Sequence, residues 1–336
     1  MFSFLYIIYL SFLNFYRNCK TKGISQLKVF PENVSNKNQT ESSTTANILS
    51  DNNFKMEDNQ ETHIIDINNE NEIDNLPHRD LEPIIIHKND RTKIYLKNNK
   101  IYKYYKPFNS FEEQKSLIEL LKKNQHENIC IPCNYYILDS LFIEESIQYS
   151  FDLFHALENN LINFENIYSY IKQLSSAIYH LHYECQYAHR DLKPENILIK
   201  ELNGEYIFLL TDFDFSCEIN NDSKFQGGSE SYAGPEIFMK EKNDWGKLDI
   251  WALGIVIYIL IFKEFPWKIA LVSDEYYSDF DLSKNKYLYF LQKFGDLQNI
   301  SKEYKFYATI LYYCLKQEPN KRINSQQLIN LLNKYK

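Results

Sequence analysis

Apolar and polar positions change rhythm several times along the chain. Met1 to Tyr16 is nearly all Phe, Leu, Ile and Tyr, broken by Ser3, Ser11 and Asn14. Arg17, Lys20 and Lys22 come next, and no small-x-small cleavage site appears. Residues 1–22 therefore read as an apolar N-terminal segment: a signal, a short anchor, an amphipathic tail or a misassigned start. Residues 23–80 turn to Asn, Ser, Glu and Asp with little periodicity. Such a stretch cannot bury enough apolar surface to offset its ordering entropy and is expected to be disordered.

A structured pattern begins near Pro83 and defines a domain over 81–336. Ile84–His87, Thr92–Leu96 and Lys100–Tyr105 read as short strands, separated by polar turns at Lys88–Arg91 and Asn98–Asn99. Phe111–Lys123 has helical spacing with Leu117, Ile118, Leu120 and Leu121 on its apolar side, and Asn134–Glu144 returns to strand. A helix over Phe164–Tyr183 and strands around Ile197–Ile199 and Tyr206–Leu210 come after it. Leu248–Phe262 is almost wholly apolar; at about 15 residues it suits a helix buried in a core and not a bilayer span. The rest of the chain reads as helical. Strands first and helices later predict an α+β arrangement, with a small sheet-rich lobe and a larger helical one.

Composition narrows the function classes. The 336 residues carry a net charge of −8, are 44% hydrophobic and include only 8 glycines, where ordinary usage of roughly 7% gives about two dozen. A mildly acidic chain without long basic runs argues against nucleic acid as the main partner. Six scattered cysteines do not make the framework of a small secreted disulfide protein. Cys130-Ile131-Pro132-Cys133 is half a metal site with no second half, so packing is the favoured reading.

The informative segment is His189-Arg190-Asp191-Leu192-Lys193-Pro194-Glu195-Asn196. A carboxylate, an ammonium two residues on and a metal-competent amide can converge on one transferring phosphoryl group. The segment resembles the catalytic loop of eukaryotic protein kinases, H-R-D-L-K-P-E-N, at every position. Asp212-Phe213-Asp214 stands where the family has D-F-G, and Gly228-Ser229-x-x-Tyr232-x-Gly234-Pro235-Glu236 where it has G-T-x-x-Y-x-A-P-E. Asp249-x-Trp251-x-x-Gly254 matches D-x-W-x-x-G, and Arg322 matches the arginine that pairs with the P-E glutamate. Lys193 together with Ser229 indicates the Ser/Thr branch. Phe265-Pro266-Trp267, with Ala270, Asp274, Tyr277 and Phe280 after it, resembles a segment of fungal Ser/Thr kinases. With the composition, it suggests a fungal or microsporidian-like source.

The resemblance implies a two-lobed kinase-like fold, a protein serine/threonine kinase activity, ATP and Mg²⁺ as cofactors and proteins as substrates. Asp191 would accept the substrate hydroxyl's proton, and Lys193 would neutralise charge on the transferred phosphate. Asn196 and Asp212 would hold Mg²⁺. His189 and Phe213 would pack between the lobes, Leu198 would lie beneath adenine, and Asp152 would meet the ribose or serve as a helix N-cap. Lys103, in Lys100-Ile101-Tyr102-Lys103, takes the place of the V-A-I-K lysine, with Lys100 and Lys106 as rivals. Its helix partner would fall on Leu117, so Glu113, one turn earlier on the same face, is the expected substitute. The hinge to adenine is expected near Glu145-Ser146.

Three departures mark the chain. No glycine lies between Gly23 and Gly204, so the glycine-rich phosphate-covering loop is absent; Lys88 or Arg91 could supply charge instead. Ile101 replaces a small residue facing adenine. Asp214 replaces the D-F-G glycine, at a cost of about 1 kcal/mol or more if its φ is positive. The alternative function is therefore a pseudokinase, a scaffold or allosteric partner with weak or absent nucleotide binding. Around Arg190 the usual activating-phosphate positions are Lys224 and Phe225, with Ser223 the nearest hydroxyl, so simple single-site activation is not expected. The expected location is cytoplasmic, or membrane-associated or secretory if residues 1–16 associate with a membrane or act as a signal.

Overall fold

The computed structural model describes residues 84–88, 91–108, 110–138, 141–221, 228–239 and 244–335. The expectations for 1–22, 23–80, Asn89-Asp90 and Ser223–Phe225, and for the side chain of Lys88, lie outside what is described.

Five strands form an antiparallel sheet: β1 (Ile84–Lys88), β2 (Thr92–Lys97), β3 (Lys100–Tyr105), β4 (Asn134–Leu138) and β5 (Leu141–Ile147), in the order β1-β2-β3-β5-β4. Asn98 and Asn99 turn β2 into β3 with φ of 51° and 60°, the left-handed pair a two-residue hairpin needs and asparagine tolerates. The single strand expected over Asn134–Glu144 is two strands. Only Asp139-Ser140 interrupts the apolar run there, and β4 and β5 pair back across it from Leu138↔Leu141 to Asn134↔Glu145. β5 continues to Ile147, so Glu145 and Ser146, expected at the hinge, are still inside the sheet.

Helix α1 (Phe111–Lys123) lies between β3 and β4 in sequence. Its Ile118 packs with Tyr105 and Phe142 of the sheet, while Leu117 and Leu121 join the large core that continues into the helical lobe. That division of one helix's apolar side ties the two lobes together.

The chain then passes through β6 (Phe151–Asp152), α2 (Leu153–Glu158), α3 (Ile167–Tyr183) and β7 (Tyr187–Ala188). Phe164–Asn166, expected as helix, is a 3-10 turn leading into α3. The hairpin β8 (Ile197–Leu202) and β9 (Glu205–Leu210) makes a three-stranded sheet with β6, and β10 (Cys217–Glu218) pairs with β7. The helical lobe is completed by α4 (Pro235–Met239), α5 (Trp245–Phe262), α6 (Glu275–Leu282), α7 (Lys286–Lys293), α8 (Lys302–Cys314) and α9 (Ser325–Lys334).

Helix α5 is the apolar run seen in the sequence, begun one turn early because Asp244 caps it by accepting from Lys247 N at 3.0 Å. It is long and apolar enough to cross a membrane, yet every residue from Leu248 to Ile261 is buried inside the domain. A Cβ on Gly254 would come within 2.8 Å of Leu315 Cδ2 and 2.9 Å of Cys314 Cβ. Only glycine lets α5 approach the end of α8 that closely.

Candidate active site

The site is assembled on the segments that follow β7 and β9, joined by Ser229. Asp249, buried on α5, accepts from the backbone N–H of His189 at 2.7 Å and of Arg190 at 2.8 Å, and pairs with His182 at 2.9 Å. Burial alone would raise its carboxyl, but His182 and the backbone donors hold it below the usual carboxylate range. These bonds fix Arg190 at φ 69°, a left-handed conformation costly for a side-chain-bearing residue. Its guanidinium lies 4.1 Å over the Trp245 ring.

Two residues beyond His189, Asp191 is 5% exposed and surrounded by donors. Lys193 Nζ lies 2.7 Å from Oδ2, and Asn196 Nδ2 donates to the same oxygen at 3.0 Å and to the Asp191 carbonyl at 2.8 Å. Ser229 donates its N–H at 3.2 Å and its hydroxyl at 3.3 Å to Oδ1, while Lys193 Nζ reaches the Ser229 hydroxyl at 3.2 Å. His189 packs edge-on to Phe213 with ring centroids 5.2 Å apart. The structure thus brings Asp191, Lys193, Asn196 and Ser229 into one polar cluster.

A second cluster joins the sheet to the segment after β9. Lys103 Nζ lies 2.5 Å from Asp212 Oδ1. Its rivals are elsewhere: Lys100 pairs with Glu145 at 2.5 Å, with half its side chain in solvent, and exposed Lys106 offers its carbonyl to Arg91. Burial opposes the Lys103 charge, but Asp212, Glu144 and Asp214 outweigh it and raise its pKa. Burial likewise works against the Asp212 carboxylate, yet Lys103 holds it below the usual range. Asp212 has φ 64°, so the left-handed residue of this segment is the aspartate before Phe213.

Three expectations are corrected by this geometry. Glu113 does not face Lys103. It is the third residue of α1 and closes a capping box, accepting from Ser110 N at 2.8 Å and Ser110 Oγ at 2.9 Å. A carboxylate at a helix start satisfies orphan N–H groups more readily than it reaches across to a strand. Asp214 is not among the residues with positive φ, so the conformational cost does not arise. Its buried carboxylate instead accepts from Phe108 N at 3.2 Å and from Arg91 Nη2 at 3.3 Å. Arg91, expected to be available for phosphate charge, is held there, with its guanidinium 4.4 Å over the Phe108 ring.

Asp152 and Leu198 are brought side by side as register partners of β6 and β8. Asp152 is the N-cap of α2, with Oδ1 accepting from His155 N at 2.7 Å. For a cation, the donor set is suitable. Asn196 Oδ1 and Asp212 Oδ2 accept no hydrogen bond among the described residues, since Asn196 uses Nδ2 and Asp212 uses Oδ1. Two hard oxygens are what Mg²⁺ takes from a protein when nucleotide phosphates supply the rest. No group of three or more His, Cys, Asp or Glu suited to a metal occurs among the described residues.

Residues not singled out from the sequence also enter. Glu144 and Tyr105 face Lys103, and Gln114 donates to Glu144; their signal was a lone charge, a tyrosine hydroxyl and an amide on faces otherwise apolar. The pair expected from the sequence is also present: Arg322 forks onto Glu236 at 2.6 and 3.0 Å, fully buried. Gly234 makes room, because a Cβ there would sit 2.5 Å from Glu236 Oε2.

The family model described as a protein kinase domain matches residues 84–332. The chain is 29% identical over 226 residues to the serine/threonine-protein kinase CHK1 of Saccharomyces cerevisiae, covering 64% of this chain and 40% of that protein. It is 33% identical over 164 residues to the serine/threonine-protein kinase KSP1 of the same yeast, covering 46% and 15%. It is 34% identical over 137 residues to the mitochondrial serine/threonine-protein kinase ppk24 of Schizosaccharomyces pombe, covering 38% and 29%. The matched part spans at most 40% of the length of each of these relatives.

Proposed function

The chain belongs to the protein kinase family, and from that premise we propose that it is a protein serine/threonine kinase, transferring the γ-phosphate of ATP to hydroxyls of protein substrates. The observation that carries this reading is the fork at Asp191. A buried carboxylate contacts an ammonium, and a serine hydroxyl already seats between the two. Asp191 is the base for the substrate hydroxyl, and Lys193 offsets charge on the phosphoryl oxygens. Lys103 orients the nucleotide phosphates from the sheet side, held by Asp212. Leu198 and Asp152 belong to the nucleoside end. Asn196 and Asp212 would hold Mg²⁺, which when bound would neutralise phosphate charge. The names of the three relatives support the Ser/Thr branch.

Asp191→Asn tests the assignment. Transfer to a serine-containing protein substrate should fall by about 10²- to 10⁴-fold, the usual weight of a positioned base. Circular dichroism should stay unchanged. Transfer within a few-fold of the parent would remove Asp191 from the role.

A further inference from the structure

Helix α1 offers Lys103 no carboxylate. Glu113 is engaged in its own cap, and Leu117 is 1% exposed among apolar side chains. A half-buried ammonium needs counter-charge, and Asp212 is shared with the proposed metal. Two other carboxylates act on the same ammonium, Asp214 and Glu144, and Asp214 is engaged by Phe108 N and Arg91. Glu144 is the register partner of Lys103 across β3 and β5, and directly opposite residues hold their Cβ atoms about 4.5–5.5 Å apart on one face. Its side chain is fixed from two directions. Tyr105, two residues along β3 on the same face, donates its hydroxyl to Glu144 Oε1 and presents its ring 4.5 Å from Lys103 Nζ. Gln114 of α1 donates Nε2 to the same oxygen at 3.3 Å.

We propose that Glu144 is a positioning residue, a strand-borne carboxylate that holds Lys103 for the nucleotide phosphates in place of a helix glutamate. The proposal rests on the reading of the chain as an ATP-dependent kinase. Lysine and carboxylate sit on hydrogen-bonded neighbouring strands. The pair therefore moves as one body, and a displacement of α1 removes a hydrogen bond but not the counter-charge.

The test uses the full chain with Glu144→Gln and the exchange Gln114→Glu/Glu144→Gln, which moves the carboxylate to the helix but keeps one acid and one amide in the contact. The first readout needs no nucleotide: the acylation rate of Lys103 by an N-hydroxysuccinimide ester, followed by peptide mass spectrometry with Lys247 as reference. Without the carboxylate opposite it on β5, Lys103 Nζ is held less firmly in place, so Glu144→Gln should raise Lys103 acylation about fivefold or more while leaving Lys247 unchanged. The second is the split between KM for Mg·ATP, expected to rise several-fold, and kcat, expected to change less. The exchange should restore both readouts to within about threefold. Lys103 acylation and KM both within twofold of the parent in Glu144→Gln would overturn the proposal. If Glu144→Gln is poorly folded, an exchange variant with parental thermal stability that restores neither readout overturns it equally. A parent that transfers no phosphate would sink the kinase reading, yet the acylation arm would still report whether Glu144 acts on Lys103.

Discussion

Arg190 and Asp212, the two left-handed residues at the site, show how backbone strain is maintained by side chains far away in sequence. Arg190 is held by Asp249 through the neighbouring N–H groups, and Asp212 by Lys103. At Asp152 the surroundings act on charge instead, because burial pushes its carboxyl up to about 6 from an ordinary value of about 3.9. Between those values the folded protein keeps a proton that the unfolded chain has released. The stability contributed by this group therefore falls as pH rises from about 4 to about 6. Asp152→Asn keeps a capping side chain and removes the titration. The Tm of the variant relative to the parent should climb across that window and level off above it. A constant difference from pH 4 to pH 7 would contradict the effect.

Among the elements, α1 serves packing more than charge: its first turn is occupied by the capping box and its inner face by Leu117, Ile118 and Leu121. Beside the Lys103–Asp212 pair, Asp214 adds a second tie to the segment after β9, binding Phe108 N and Arg91 across 106 and 123 residues of sequence. In Asp214→Gly both contacts disappear. A lost hydrogen bond to a charged group is worth about 1.5–3 kcal/mol, discounted here because Arg91 is 39% exposed. The expected result is a stability loss of about 1–2 kcal/mol in denaturant unfolding, with faster amide exchange at Phe108 and retained phosphate transfer. Unchanged exchange at Phe108 would show that the tether does not hold that loop.

For the molecule as a whole, the question is how well two lobes without a glycine-rich cover hold a nucleotide. On the proposed reading, the backbone hydrogen bonds of a glycine-rich loop would be lacking, and Arg91, paired with Asp214, would recover little of that loss. A deficit of about 1–3 kcal/mol corresponds to roughly 5- to 150-fold weaker binding than in a kinase with that loop. On that reading, binding would depend on the metal and on Asp212. The full chain should show a thermal shift with millimolar ATP plus Mg²⁺ and little with ATP alone, because stabilisation scales with ligand over Kd. Asp212→Asn should cancel the metal-dependent part. An equal shift with ATP alone would place the affinity elsewhere.

The sequence by itself determined what is local. The eight residues from His189 to Asn196 lie on one loop, so their types and spacing already specify a base, a cation and an amide near each other. The apolar run of α5, the paired asparagines between β2 and β3, and the order of strands before helices were legible for the same reason: period and turn chemistry act over a few residues. Only the tertiary structure decided which partners meet. Lys103 was one of three candidate lysines until strand register put it on the inner face, beside an aspartate 109 residues away. Glu113 had the right helical face, but a local cap claimed it. Glu144 was one charge in a strand until the pairing of β3 with β5 set it opposite Lys103. A one-residue slip in register turns every side chain to the other face, and that register is fixed by the sum of burial over the whole sheet.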